Sequence, residues 1–199
     1  MHLSKRAPKT MALCALMLLL TACAGRADTP EARLYELRRS FSDSSALSAH
    51  AVVTADYGER VYSYTVDLSG NEQAGTMTVT EPENIAGTLL QWSDGTTQLS
   101  VEGVSLETGS LTETLSPSHA VPALLRILRE GEVLSCDWEE DSLSAQLSHP
   151  TDQGLTALCW FDRETGALRR CELAEDGRTV LTMEFSGFAL EKTKAEASQ

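Results

Sequence analysis

The chain has 199 residues, of which 29 are Asp or Glu and 16 are Lys or Arg, so its formal net charge at pH 7 is −13. A surface this acidic repels nucleic-acid phosphates and anionic lipid headgroups, which argues against nucleic-acid binding. The length suits a single domain with a sizeable hydrophobic core.

Residues 1–22 have the layout of a secretory signal peptide. Three cations and no acid precede an apolar run over 11–20, which is shorter than the roughly 20 residues that span a bilayer. The run ends in Leu20-Thr21-Ala22-Cys23, which resembles the lipobox read by lipoprotein-processing enzymes. This resemblance implies cleavage before Cys23 and lipid attachment to its thiol. An ordinary signal peptide with an incidental Cys23 is the alternative.

A short lipidated tether, residues 23–28, precedes the first predicted helix. Thr29 is followed by proline and glutamate, which are typical of an N-cap and a first helical turn. Apolar residues then recur on one face up to Phe41. The pattern predicts an amphipathic helix that ends near Asp43 and whose apolar stripe must be covered by other elements.

The apolar period becomes strand-like from Ala51 onward. Tyr62 and Tyr64 belong to an alternating stretch with one mostly apolar face, and a threonine-rich segment follows that suits a pleated surface. Turn sequences such as Asp94-Gly95 separate the later segments. After the stretch that begins at Ala51, the strands predicted before the second helix cover residues 61–68, 75–80, 85–92, 97–101 and 104–106.

A second amphipathic helix is predicted over 116–130, with Gly131 where a C-cap glycine would stand. Its apolar stripe, spaced i, i+3, i+4 and i+7, consists of Val121, Leu124, Leu125 and Leu128. The stripe is too apolar to face water, so we expect it to bury against the sheet as a lid over a ligand cavity or as a permanent plug. With Tyr62 and Tyr64, these residues are the candidate cavity or lid residues.

Strands are predicted to resume at 133–138, 143–147, 155–161, 168–173 and 180–185. Successive hairpins with two helices to cover predict a mainly β (α+β) fold. We expect a strongly curved antiparallel sheet, a half-barrel, with an N-terminal helix and a second inserted helix packed on the concave face. The single domain spans 29–190, and residues 191–199 form a polar tail.

The element order from Thr29 to Leu190 is similar to that of the outer-membrane lipoprotein carrier and receptor family, the LolA/LolB-like proteins. It also looks like the germination-lipoprotein type of spore-forming bacteria. Two stretches carry the resemblance, TMTVTEPENIAG at 76–87 and LSPSHAVPALL at 115–125. The resemblance implies a concave sheet that holds an apolar ligand, a lipidated peptide or a protein partner.

Three cysteines remain in a domain that is exported, where disulfides are permitted. Cys159 and Cys171 flank the turn sequence at 163–166 almost symmetrically. They therefore form a cross-strand disulfide if the register opposes them. The alternative is that these two and Cys136 are small core residues.

The sequence shows no constellation typical of an enzyme. His50, His119 and His149 are isolated, and neither a nucleophile elbow nor a zinc-binding helix occurs. The acids at 139–141 lack the glycine turn of a calcium loop and suit a solvated hairpin tip. We expect no catalytic residue, metal or cofactor. Six aromatic residues remain as either pocket lining or core: Tyr62, Tyr64, Trp92, Trp138, Trp160 and Phe185.

These observations predict a non-enzymatic binding or chaperone-like lipoprotein on the extracytoplasmic face of the cell membrane, anchored through Cys23. Its partner would be an apolar ligand, a lipidated peptide or a protein. The alternative is a regulatory lipoprotein that docks on and activates a cell-wall or spore-cortex enzyme. An open apolar cavity favours the first function, whereas a cavity plugged by the protein's own helix favours the second.

Overall fold

The computed structural model describes residues 28–110, 115 and 117–192. The predicted signal peptide, Cys23 and residues 193–199 of the predicted tail lie outside these residues. The described elements, in chain order, are α1 (Pro30–Ser42), β1 (Ser44–Asp56), β2 (Val61–Gly70), β3 (Ala74–Glu81), a 3-10 turn (Glu83–Ile85), β4 (Leu89–Ser93), β5 (Thr96–Val101), β6 (Val104–Ser110), α2 (Pro117–Glu130), β7 (Glu132–Trp138), β8 (Ser142–Ser148), β9 (Leu155–Asp162), β10 (Leu168–Glu175) and β11 (Arg178–Lys192).

Helix α1 begins and ends where the sequence predicts. The Thr29 hydroxyl accepts a hydrogen bond from the Ala32 amide at 3.2 Å, as an N-cap does. At the other end, the Asp43 amide donates to the Arg39 carbonyl at 2.9 Å. The apolar stripe of the helix is buried, and it comprises Leu34, Leu37 and Phe41.

All eleven strands form one antiparallel sheet with the order β6-β5-β4-β3-β2-β1-β11-β10-β9-β8-β7. The sheet therefore consists of two meanders, β1–β6 and β7–β11, which meet where β1 pairs with β11. Helix α2 connects the two outer edges, because it follows β6 and precedes β7. We call the two meanders the N-terminal half and the C-terminal half of the sheet.

The side chains of β1 alternate between the two faces of the sheet. Ala51, Val53 and Ala55 are buried on the face that the helices cover, which we call the inner face, whereas Val52 points to the outer face and is exposed. Register shifts interrupt several strand pairs, and such bulges increase the local twist. The predicted fold class, a curved half-barrel with two helices on its concave face, is confirmed.

Helix α1 is fastened to the C-terminal end of α2 by one side chain. The Arg38 guanidinium donates from Nε to the Leu128 carbonyl at 3.0 Å and from a terminal nitrogen to the Arg129 carbonyl at 2.9 Å. These carbonyls lie in the last turn of α2, where intrahelical partners run out and the helix dipole favours a cation. The two helices therefore cover the inner face as a joined pair.

Several element boundaries differ from the prediction, and three of the differences are instructive. Strand β1 begins at Ser44 rather than near Ala51, and β11 continues to Lys192, because these two segments pair with each other. Ile85 lies in a 3-10 turn rather than a strand, and β4 begins only at Leu89. Long-range pairing decides the first two boundaries, and local periodicity does not report it. Within the described ranges, no helix is both long and apolar enough to cross a bilayer.

Candidate functional site

The space beneath α2 is filled. The predicted stripe, which is buried throughout, comprises Val121, Leu124, Leu125 and Leu128. It contacts Leu68, Leu168 and Phe185 of the sheet around a gap of only about 10 Å³. A gap of this size accommodates roughly one water molecule at most. The four stripe residues thus line helix–sheet core, and none of them borders a ligand-sized cavity.

A larger apolar cavity lies beside them, on the inner face of the N-terminal half. Its volume is about 390 Å³, within the range of roughly 300–1,000 Å³ typical of small-molecule sites. The wall comes from β1 to β5 and the β3–β4 connection, and it comprises Val53, Tyr64, Val66, Met77, Val79, Ile85, Thr88, Leu90, Leu99 and Val101. Tyr64 is the one ionisable residue among them.

One wall of the cavity is the connection between β3 and β4, residues 82–88, which we call the strap. It is fastened to Val79 twice: the Gly87 amide donates to the Val79 carbonyl at 2.8 Å, and the Val79 amide donates to the Thr88 carbonyl at 2.9 Å. Gly87 has a φ of +84°, a conformation that side chains disfavour. The strap thereby holds Ile85 and Thr88 against the cavity.

Three neighbouring tyrosines form a group that includes the wall residue Tyr64, and we call the side of the cavity next to this group its mouth. The rings of Tyr62 and Tyr64 are nearly parallel, with centroids 6.5 Å apart, and the ring of Tyr57 lies 6.3 Å from that of Tyr62. Burial, and then the neighbouring tyrosines, raise the pKa of Tyr57 and Tyr64. At neutral pH these two phenols are protonated, so each can donate a hydrogen bond to a polar group of a ligand.

The cavity is open because the helices do not extend to it. No residue of α1 or α2 lines it, and the backbones of the helices come closest to β7, β8 and β9 in the C-terminal half. Leu99 is partly exposed and Val101 is 43% exposed, although both lie on the inner face. Apolar side chains that open onto a concavity are the usual lining of a ligand site.

A second and larger concavity, of about 700 Å³, lies between α1 and the β9–β10 turn. Its wall mixes the charged Arg33 and Asp43 with Phe41 and Phe188. Gly166 shapes it, because a Cβ at this position would approach the Leu37 side chain to 2.5 Å. The N-terminal cavity is the better candidate for an apolar ligand, because its wall carries no charged group.

The predicted cysteine pair is directly opposed across β9 and β10. The Cys159 and Cys171 sulfurs are 3.7 Å apart, both residues are fully buried, and both are free thiols. Burial, followed by the contact with Cys159, raises the pKa of Cys171. Cys136 lies on β7, apart from this pair, and its pKa is raised to about 11 by burial and by the nearby Glu31 and Asp137.

The described histidines lie on separate elements. His50 on β1 bonds to Asp67 at 2.8 Å on the surface, and His149 accepts from the Asp152 amide at 3.1 Å in the β8–β9 turn. His119 on α2 is buried, and its ring nitrogens have no hydrogen-bond partner among the described residues. Within the same residues, no group of three His, Cys, Asp or Glu residues could hold a metal ion.

Of the six aromatic residues weighed as pocket lining or core, Tyr64 lines the cavity and Tyr62 stacks on it. Trp92 is buried in the same half and donates to the Asn71 carbonyl at 2.7 Å. Trp160 lies on the outer face. The sequence did not single out other cavity residues, such as Met77 and Leu99. They alternate with polar residues along their strands as every other apolar inner-face residue does, so no local signal distinguishes cavity wall from core.

No family model matches the sequence, and no curated protein matches it. Three of the solved structures similar to this chain are a LolA superfamily protein from Nitrosomonas europaea (12% identity, 84% of this chain and 96% of that chain, TM-score 0.49), the lipoprotein LppX from Mycobacterium tuberculosis (13%, 79% and 95%, 0.42) and the complex of the CwlD amidase with the GerS lipoprotein from Clostridioides difficile (14%, 87% and 98%, 0.36). At these identities and TM-scores, function has to be argued from this chain's own residues.

Proposed function

We propose that this protein is a membrane-anchored, non-enzymatic lipoprotein that holds an alkyl or acyl chain in the cavity of the N-terminal half. The open, uncharged concavity of about 390 Å³ carries the proposal. Each buried methylene contributes about 0.8 kcal/mol, so a chain with eight of them inside gains roughly 6 kcal/mol before the cost of ordering.

The anchor in this proposal is Cys23. It stands five residues before Asp28, whose carbonyl accepts a hydrogen bond from the Trp138 indole at 3.3 Å. Five residues reach about 18 Å at full extension, so the β7 edge of the domain stays near the bilayer. The cavity is lined by β1 to β5, on the other side of the β1–β11 pair.

Blocking the cavity tests the binding function. Val101→Trp places an indole in the cavity wall, and we expect the affinity for N-phenyl-1-naphthylamine to fall at least about tenfold, since lost apolar contacts of about 1.4 kcal/mol give that factor. Val52→Trp is the matched control, because Val52 is 40% exposed on the outer face and Val101 is 43% exposed at the cavity. Equal probe affinity in both variants and the wild type would remove the cavity function.

Fractionation of cells tests the anchor. We expect mature-size Cys23→Ser protein to leave the membrane fraction while keeping the thermal unfolding of the wild type, because anchor and core are on different segments. The uncleaved precursor must be separated by size. Mature-size mutant that sediments with membranes as the wild type does would show that the lipid is not the anchor.

Docking on an envelope enzyme is the second candidate function. The filled space beneath α2 favours it, as does the edge strand β7, where Val133 is 40% and Leu134 50% exposed. Under this function, Leu134→Asp abolishes capture of the enzyme by crosslinking on membranes, whereas Val101→Trp leaves it unchanged. Capture that survives Leu134→Asp but is lost in Val101→Trp supports the cavity function instead.

A further inference from the structure

The charges around the cavity point to selectivity among ligands. We infer that the cavity accepts chains whose polar end is uncharged or cationic and discriminates against anionic amphiphiles. This inference rests on the proposed function and names the chemical class of its ligand. It follows from the wall, the acids next to wall residues in the sequence and the tyrosine group.

The wall offers nothing to pair with an anion. Its ten residues include neither a lysine nor an arginine nor a histidine. A carboxylate or phosphate drawn inward with its chain would lose hydration without gaining an ion pair, which is unfavourable. Only hydrocarbon can occupy the interior without this cost.

Two acids lie next to wall residues in the sequence. Glu83 lies on the strap two residues before Ile85, and Glu102 directly follows Val101; both are exposed and, among the described residues, neither forms an ion pair. In the neighbouring β1–β2 turn, Glu59 and Arg60 offset each other in charge.

Another cation of the described residues near this turn, Arg178, is already engaged. Arg178 bonds to the Asp56 carbonyl at 3.1 Å and to its carboxylate at 3.4 Å. The formal charges of Glu83 and Glu102 are therefore not offset by a neighbouring cation among the residues named here, and they repel an anionic head that stays outside while its chain enters.

The tyrosine group favours a cationic head. Aromatic faces carry negative electrostatic potential and attract ammonium groups that approach within about 6 Å of the ring centroid. Tyr64 in the cavity wall and its neighbours Tyr57 and Tyr62 provide three such rings. Their hydroxyls also suit the hydrogen-bonding head of an uncharged amphiphile.

Three amphiphiles with twelve-carbon chains test the inference on the mature protein, each below its micelle concentration. Dodecyl maltoside, dodecyltrimethylammonium and laurate at pH 8 compete for bound N-phenyl-1-naphthylamine. At low salt we expect the concentration that displaces half of the probe to be at least about tenfold higher for laurate than for either of the others. The reason is that the two glutamates act on the laurate carboxylate over a few ångströms. In 1 M NaCl, where the Debye length is about 3 Å, the ratio should contract.

Charge variants locate the effect. The double variant Glu83→Lys with Glu102→Lys should raise the affinity for laurate and lower the affinity for dodecyltrimethylammonium. The affinity for dodecyl maltoside should be unchanged. The control pair, Glu140→Lys with Glu164→Lys, makes the same change in net charge in turns of the C-terminal half and should leave all three affinities unchanged.

The outcomes separate the two claims. Equal competition by all three amphiphiles at low salt, or identical behaviour of both charge variants, overturns the selectivity while the cavity function stands. Failure of every amphiphile to displace the probe overturns the cavity function, and the selectivity falls with it.

Discussion

The two halves of the sheet share one inner face but differ in what covers it. In the C-terminal half the face is sealed by α1 and α2, and Leu147, Leu173 and Leu181 have no exposed area. In the N-terminal half the same face opens onto a cavity, and Leu99 and Val101 remain accessible. Both halves are built from the same alternation of apolar and polar residues.

This difference shows that cover, rather than strand composition, decides which apolar surface becomes core and which becomes a site. Two short helices reach across part of a sheet of eleven strands. The sealed half supplies burial for folding, at about 25 cal/mol per Å² of apolar surface. The open half is then free to keep apolar surface available to a ligand.

The largest expected effect comes from emptying the sealed half. Phe161 on β9 is 1% exposed, and its ring centroid lies 6.3 Å from that of Phe41 on α1. We expect Phe161→Ala to lower the free energy of unfolding by about 3–5 kcal/mol, because a large buried ring is lost. Urea denaturation measures this change. A loss under about 1 kcal/mol would mean that the helix–sheet contact adds little to stability.

A matched pair of leucine truncations compares the halves directly. Leu124→Ala on the buried face of α2 should cost about 2–5 kcal/mol of stability, whereas Leu99→Ala at the cavity should cost under about 1.5 kcal/mol, because the Leu99 side chain already borders open space. Thermal melts with and without an apolar probe complete the comparison. Equal losses in the two variants would contradict the difference between the halves.

The cysteine pair sharpens the comparison further, since both members lie in the sealed half. We propose that oxidation joins Cys159 to Cys171, whose opposed positions satisfy the backbone spacing of a disulfide, and stabilises the domain by about 2 kcal/mol. Thiol counting on the unfolded, unreduced mature protein should then find Cys136 free. Three free thiols would exclude the bridge.

The smallest expected effect concerns the β9–β10 turn at the edge of the sealed half. Hydrogen bonds from the Thr165 amide and hydroxyl, and then from Arg169, lower the pKa of Asp162 to about 2. Because the folded pKa is below the unfolded one, this stabilisation is complete above about pH 4 and is lost as the pH falls through 2.

Amide hydrogen exchange of Thr165 between pH 5 and pH 2, corrected for intrinsic rates, measures this loosening. We expect Asp162→Asn to show low protection across the whole range, whereas the control Asp176→Asn in the β10–β11 turn keeps the wild-type profile. Protection in the wild type that does not change with pH would rule out this role of the carboxylate.

Periodicity and caps predicted most of the fold. Thr29 and Gly131 mark helix ends, and alternation located most of the strands, because both signals are local. The beginning of β1 and the turn at Ile85 escaped prediction, since the first depends on pairing with β11 and the second on the strap. Local sequence could not assign the open half either, because that depends on where the helices end up on the sheet.

The pair of β1 and β11 has a consequence for how the chain acquires its structure. Every other adjacent pair in the sheet joins strands that are consecutive in sequence, whereas these two lie at nearly opposite ends of the described chain. Closing so large a loop is entropically costly and slow. Until β11 pairs with it, β1 has one unpaired edge, because its other edge pairs with β2, and such an edge invites association with other chains. The exposed edge of β1 is therefore lost only when residues 178–192 have taken their place in the sheet.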